Sequence, residues 1–211
     1  MLFNLNVAKY LLIIIVPLVI ILGNFRYLVL DVNFYDSLYQ ESGVYQTFSK
    51  SQAIAITRNL LGYFKGQTKI DQGFFSGQAI LHLKDVKGLI IFATSLLYLS
   101  LSFVGVVTLT LIAKRKYQAL ISAFFTSSLI TIVFVLFLSL GIFKAFEPLF
   151  TKFHHVLFTN NLWLFPASDN LVKLFPQEFF ITFANQLALN IGLTCLILAA
   201  TSFVLKKGFT K

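Results

Sequence analysis

Two histidines and the chain's single tryptophan crowd into one stretch, Phe153-His154-His155-Val156-Leu157-Phe158, which continues through Asn161-Leu162-Trp163-Leu164-Phe165-Pro166. The third histidine, His82, lies in an earlier polar stretch beside Lys84, Asp85 and Lys87. Imidazole both accepts and returns protons near neutral pH. Three such groups among aromatic residues therefore suggest proton-transfer chemistry next to an apolar substrate.

Pro148 suits the first turn of a helix. On that helix Leu149, Phe150, Phe153 and Leu157 make one apolar stripe. At about 100° per residue, His154 sits beside the stripe and His155 points nearly opposite. His154 can thus reach the head-group level, while His155 is read as solvated. Asp85 follows His82 by three residues, so on a helix it shares a face and is placed where it could orient the ring. Pairing with Lys84 or Lys87 is its alternative.

The absences matter as much. Three histidines and an aspartate make a legal metal-ligand set, but adjacent histidines diverge on a helix and no paired-histidine zinc motif occurs. No metal and no cofactor are expected. No GxSxG elbow is present for a serine nucleophile. Cys195, the one cysteine, falls in a long apolar run where a thiolate is hard to form. This favours a reaction in which histidines move protons and the substrate supplies both nucleophile and electrophile. Phe153, Phe158, Trp163 and Phe165, with Tyr63 from the earlier stretch, are candidates for a substrate pocket. An interfacial aromatic belt is the competing reading.

The elements that must position these residues are membrane helices. The chain is 57% hydrophobic and 12% charged, about half the charge of a soluble domain, and it contains long charge-free runs. Four spans are expected, at 8–28, 88–113, 119–143 and 181–205. Between them lie two polar segments, 29–87 and 144–180, and a basic turn at 114–118. In the first segment Ser51 can cap a helix carrying Ile54, Ile56, Leu60, Leu61 and Phe64, with Gly66 just past its end. The fold class is therefore all-α integral membrane, four transmembrane helices with an extracellular, largely helical cap.

Charge sets the orientation. Lys9, Lys114, Arg115, Lys116, Lys206, Lys207 and Lys211 fall on one side with no acid, while all eight Asp and Glu residues fall on the other. Short loops rich in Lys and Arg stay cytoplasmic. Both termini are expected inside and both polar segments outside. The net charge of +9 is then mainly a topology signal, and no nucleic-acid partner is expected. His82 is six residues before Gly88, roughly 9 Å above the hydrocarbon edge on a helix, near the depth of lipid ester carbonyls.

The pattern Phe153-His154-x-x-x-Phe158, then Asn161-x-Trp163-x-Phe165-x-x-x-Asp169-x-Leu171-x-x-Leu174-Phe175-Pro176-x-x-Phe179-Phe180, resembles the lipoprotein intramolecular transacylases (Lit) of Gram-positive bacteria. The stretch His82-Leu83-Lys84-Asp85-Val86-Lys87 resembles that family's second signature. The resemblance implies four spans with an extracellular cap, and His82 and His154 as catalytic residues at their junction. It implies a substrate whose N-terminal cysteine carries a diacylglyceryl group and a free amine. The sn-2 acyl chain would move to that amine, leaving a lyso-form lipoprotein, in the plasma membrane of a bacterium. Asn160, Asn161 and Arg58 are candidate oxyanion donors for the acyl transfer that this resemblance implies, with Asp169 a further supporting residue. A monomer is expected. Other membrane acyl hydrolases, phospholipid-dependent acyltransferases, and a non-enzymatic scaffold or transporter subunit are the alternatives. Charged groups expected inside a transporter's spans are missing here.

Overall fold

The computed structural model describes residues 5–208; Lys211, one of the charges used above for orientation, lies outside the described residues. Within them the secondary structure is entirely helical. The order is α1 (Leu5–Val29), α2 (Val32–Glu41), a 3-10 turn (Val44–Gln46), α3 (Lys50–Phe64), α4 (Gly77–Ala113), α5 (Tyr117–Leu157), α6 (Asn170–Leu174) and α7 (Gln177–Gly208). Four of them, α1, α4, α5 and α7, are long and apolar enough to cross a membrane. The all-α membrane class expected from the sequence is the observed one.

Helix length carries information. At 1.5 Å per residue the 37 residues of α4 span about 55 Å, against a hydrocarbon core of about 30 Å. The surplus is the stretch Gly77–Lys87, which bears Lys84, Asp85 and Lys87 as well as His82. The charge-free part of α4 begins only at Gly88. The 41 residues of α5 likewise exceed a span, and its backbone leaves helical geometry at Ala145 (φ −150°, ψ 51°), three residues before Pro148. Proline cannot donate to the carbonyl four residues earlier and its ring crowds that turn. A shorter helical segment ending at Leu157 thus carries His154 in its own direction.

The chain divides into two compact units. One comprises the residues up to Arg26, Ala93–Leu138 and those from Leu187 onward. Its core packs Leu12 and Val16 of α1, Val107 and Leu111 of α4, Ala123 of α5, and Ile191 and Cys195 of α7. Two buried hydroxyls of α5 are satisfied along their own helix: Ser127 Oγ donates to Ala123 O at 2.8 Å and Thr131 Oγ1 to Ser127 O at 2.8 Å. Asn24 Nδ2 donates to Ile20 O at 2.8 Å and reaches Thr194 Oγ1 at 3.4 Å. Its outward face is apolar, with Ile14, Leu99, Val133 and Phe137 exposed, the pattern required where lipid is the solvent.

The second unit comprises Tyr27–Phe92 and Ser139–Gln186, and it holds every candidate site residue. Asp31 caps α2 by accepting from Asn33 N at 3.0 Å. The cap of α3 is Ser49, whose extended backbone aims Oγ at Gln52 N, 3.3 Å away. Ser51, the expected cap, lies inside the first turn instead. Two serines one residue either side of Lys50 offer the same side chain, and only the backbone angle of the cap position separates them. Gly66 ends the helix with φ +75°, a left-handed conformation in which a side chain would be strained.

Aromatic rings fill this unit's core, with Tyr39 packed against Tyr35, Tyr45, Phe175 and Phe179. The Tyr39 hydroxyl lies 2.6 Å from Thr57 Oγ1, which donates onward to Ala53 O at 2.8 Å. Thr57 has one proton, so Tyr39 is the donor in that pair. Both residues are fully buried. Thr57→Val should therefore strand the Tyr39 hydroxyl and cost about 1–3 kcal/mol, while adding Tyr39→Phe should recover part of the loss. Thermal unfolding of the single and double variants measures this; equal stability of wild type and Thr57→Val would contradict it.

Candidate functional site

His82 sits in the second turn of α4, and His154 in the last turn of α5. They lie 72 residues apart in sequence (154 − 82), yet their rings stack with centroids 6.1 Å apart and planes inclined by 29°. Both are nearly sealed from solvent, at 7% and 8% exposed, whereas His155 is exposed. The helical-phase argument that separated the two adjacent histidines matches what the structure does with them.

The walls are aromatic. His82 meets Phe158 at 4.9 Å and Phe165 at 5.7 Å. His154 meets Phe150 at 4.2 Å, Trp163 at 4.8 Å, Phe153 at 5.5 Å and Phe158 at 5.7 Å. Phe158 touches both imidazoles, and its own placement follows from the end of α5, where its N–H donates to His154 O at 2.8 Å. Outside this ring of contacts, Leu81, Val156 and Leu164 remain exposed apolar side chains, and the wall residue Phe153 is itself more than half exposed. The Tyr63 ring lies against Phe64 and beneath the Lys87 ammonium, 4.1 Å from the ring centre.

His154 Nδ1 lies 2.7 Å from the carbonyl oxygen of Phe150, one helical turn back. A carbonyl only accepts, so Nδ1 carries the proton and Nε2 of the neutral ring keeps its lone pair. His82 Nδ1 is buried with no partner. Asp85 does not orient that ring. Its carboxylate accepts instead from Asn160 Nδ2 at 2.9 Å, and Asn160 Oδ1 accepts from Leu162 N at 3.0 Å. The Asn160 amide is thereby engaged at both ends, while Asn161 and Arg58 have exposed side chains. Asp169 caps α6, accepting from Leu171 N at 2.8 Å, and also accepts from Ser76 Oγ at 2.7 Å just before α4.

One residue absent from the sequence reading is Gln78. Its Nε2 donates to Leu162 O at 3.1 Å and to Leu164 O at 2.7 Å, the two carbonyls either side of Trp163. A glutamine in the first turn of a helix carries no local signal for bonds to residues more than eighty positions away. Among the described residues no three of His, Cys, Asp and Glu converge as a metal site would require.

The match to the lipoprotein intramolecular transacylase Lit family model extends over residues 10–180, which takes in both histidine stretches. The chain belongs to the Lit family. Its fold is similar to that of the solved membrane-integral lipoprotein intramolecular transacylase Lit of Bacillus cereus, with a TM-score of 0.86 at 19% identity over 98% of each chain. A variant of the Bacillus cereus protein with one histidine replaced by alanine aligns with a TM-score of 0.78 at 19% identity, over 98% of this chain and 96% of that one. At such identity the likeness is one of fold. A protein of Aquifex aeolicus (strain VF5), described as uncharacterized, is 29% identical over 129 residues, 61% of this chain and 56% of that protein's length. This Lit-family chain thus spans about half of that relative.

Burial pushes the His82 imidazole down to about 4, with the neighbouring His154 adding to the effect and Asp85 opposing it. Burial also holds His154 below its ordinary value, against the upward pull of the Phe150 carbonyl, and His155 adds to the lowering. Removing water disfavours the charged ring. In the unfolded chain both histidines take up protons near pH 6.5, which the folded rings refuse until lower pH. Stability is therefore full above about pH 6.5 and falls as pH drops towards 4. The melting temperature in detergent should decline across that window, and less steeply in His82→Phe. Identical slopes for the two proteins would contradict the burial of a neutral His82.

Proposed function

We propose that this chain moves the sn-2 acyl chain of an S-diacylglyceryl lipoprotein onto the free α-amine of the same molecule's N-terminal cysteine, leaving a lyso-form lipoprotein. Membership of the Lit family supports the reaction class. The observation that carries the residue assignment is the stacked, dry pair of imidazoles, with the free Nε2 of His154 as its working base.

The chemistry follows from those two rings. The α-amine has an ordinary pKa near 7.7–8.0, so a base must strip it. Neutral His154 takes that proton at Nε2 as the amine nitrogen attacks the sn-2 ester carbonyl carbon. The tetrahedral adduct then breaks its bond to the glyceryl oxygen, and a proton returns to that oxygen from an imidazolium. An amide and an alcohol result, with no atom gained or lost. The proton returned is the one taken from the amine, so the two imidazoles share the roles of base and acid and end the cycle neutral. Donor and acceptor belong to one molecule, so a pocket that folds them together supplies much of the acceleration. Rings that exclude water also suppress hydrolysis of the ester. The exposed Leu81, Phe153, Val156 and Leu164 offer an apolar approach for acyl chains.

In this reading the protein lies in the bacterial plasma membrane with spans at 8–28, 88–113, 119–143 and 181–205 and both termini cytoplasmic. The segments 29–87 and 144–180 form an extracellular cap, with the site at the membrane surface. The acid-free basic turn at Lys114-Arg115-Lys116 supports that orientation. One copy carries both histidines, so a monomer suffices, and neither cofactor nor nucleic acid enters the reaction.

Intact and tandem mass spectrometry of one diacylated lipoprotein, incubated with and without the protein, tests this. Transfer within the molecule leaves the intact mass unchanged and acylates the N-terminus. Loss of one acyl chain would indicate a hydrolase, gain of one a phospholipid-dependent acyltransferase, and no change a non-enzymatic scaffold. His82→Ala and His154→Ala should abolish transfer while His155→Ala largely spares it. Full activity in either of the first two variants would sink the assignment.

A further inference from the structure

Acyl transfer builds negative charge on the ester carbonyl oxygen, and a donor must receive it. Of the amides that looked suited to this from the sequence, Asn160 already gives one proton to Asp85 and accepts from Leu162 N, and Asn161 is exposed. Arg58 is exposed as well. Beside the histidines, however, one side-chain N–H is buried with nothing to donate to, the Nε1–H of Trp163. Its ring lies 4.8 Å from that of His154 at an inclination of 32°. A buried donor left unsatisfied is disfavoured unless something meets it.

We propose that Trp163 is a catalytic residue, its indole N–H donating to the carbonyl oxygen of the migrating acyl group, and that Gln78 is the residue that positions it. The proposal rests on the transacylation reading above. An N–H already dry before reaction interacts more strongly with developing charge than one in water, and it needs no reorganisation.

The positioning is visible in the bonds that bracket the indole. Trp163 belongs to a strap with no helix of its own, running from Asn160 to Phe165. Gln78 spends both amide protons on it, one on Leu162 O and one on Leu164 O. Asp85 holds its start through Asn160. Gln78 precedes His82 by four residues and Asp85 follows it by three, so all three share one face of α4. One rigid helix therefore carries His82 and fixes the strap that lays Trp163 on His154. Oxyanion donor and proton shuttle are set by the same element.

The chain has one tryptophan, so uniformly ¹⁵N-labelled protein gives one indole N–H resonance. The probe is an S-diacylglyceryl cysteinyl peptide whose α-amine is acetylated, which leaves the ester intact and removes the nucleophile. Its binding is followed by backbone amide shifts. The indole resonance should move downfield as the probe binds; binding without that movement overturns the proposal. Trp163→Phe keeps an aromatic face and loses the N–H. It should lower kcat by roughly 10²–10³-fold with little change in KM, and a wild-type kcat overturns the proposal. Gln78→Glu keeps the shape and loses the donors. It should shift Trp163 fluorescence to the red and lower kcat by up to about 10²-fold. Unchanged emission and kcat would remove Gln78 from the positioning role. Should the wild-type protein transfer no acyl group at all, the transacylation reading fails by itself, while the indole shift still reports whether the N–H meets an ester oxygen.

Discussion

Two imidazole rings with centroids 6.1 Å apart in a water-excluding pocket do not readily both carry charge. Each charged ring would repel the other, and neither would have water to solvate it. The pair is thus limited to being neutral, or to sharing one proton. Much of the second unit is arranged to hold that condition. Phe150, Phe153, Phe158, Phe165 and Trp163 shut out water, and Asp85, the one carboxylate near enough to favour a charged His82, is bonded to Asn160 instead of to the ring. Had Asp85 bonded His82 directly, the ring would gain a proton more readily and hold it longer. The proposed proton shuttle, which must release its proton within one turnover, is better served by the weaker influence.

Helix overrun makes this arrangement possible. A span of about 20 residues would end α4 before reaching His82. Its 37 residues instead project Gln78, His82 and Asp85 from one rigid rod. The break at Ala145 does the complementary work in α5, letting the segment that bears His154 depart from the direction of the preceding helix. Rigid placement on one side and a redirected arm on the other bring together residues 72 positions apart. Loops alone would hold such a pair less well, because each loose dihedral widens the distribution of ring positions.

These features differ in how legible they are from sequence, and the difference is physical. Spans are written as composition, since any residue facing lipid must be apolar; hence Gly88–Ala113 reads as a charge-free run. Helical phase is also local, which is why an apolar stripe distinguishes His154 from His155 without any tertiary knowledge. Long-range polar bonds leave no such trace. Asp85 is three residues from His82 and seventy-five from Asn160, and it bonds the distant one. Gln78 reaches 84 and 86 residues ahead. Asp169, which read as a supporting site residue, joins α6 to Ser76. The local choice between Ser49 and Ser51 failed for a different reason, as two good caps stood two positions apart.

The aromatic character of the site has a consequence for the kind of chemistry it permits. An enzyme that hydrolyses an ester must admit water to the carbonyl carbon; one that passes the acyl group to an amine must keep water away. The polar lining needed to order a hydrolytic water is scarce here: around the two imidazoles stand phenyl rings and an indole, and nearby Asn160 is already bonded to Asp85 and Leu162. On the proposed reading, the amine brought by the substrate competes with few water molecules for the ester, and selectivity for transfer over hydrolysis comes from what the pocket omits. The same omission would leave the reaction to few polar groups: two imidazoles, one of them with a fixed tautomer, and a donor for the carbonyl oxygen.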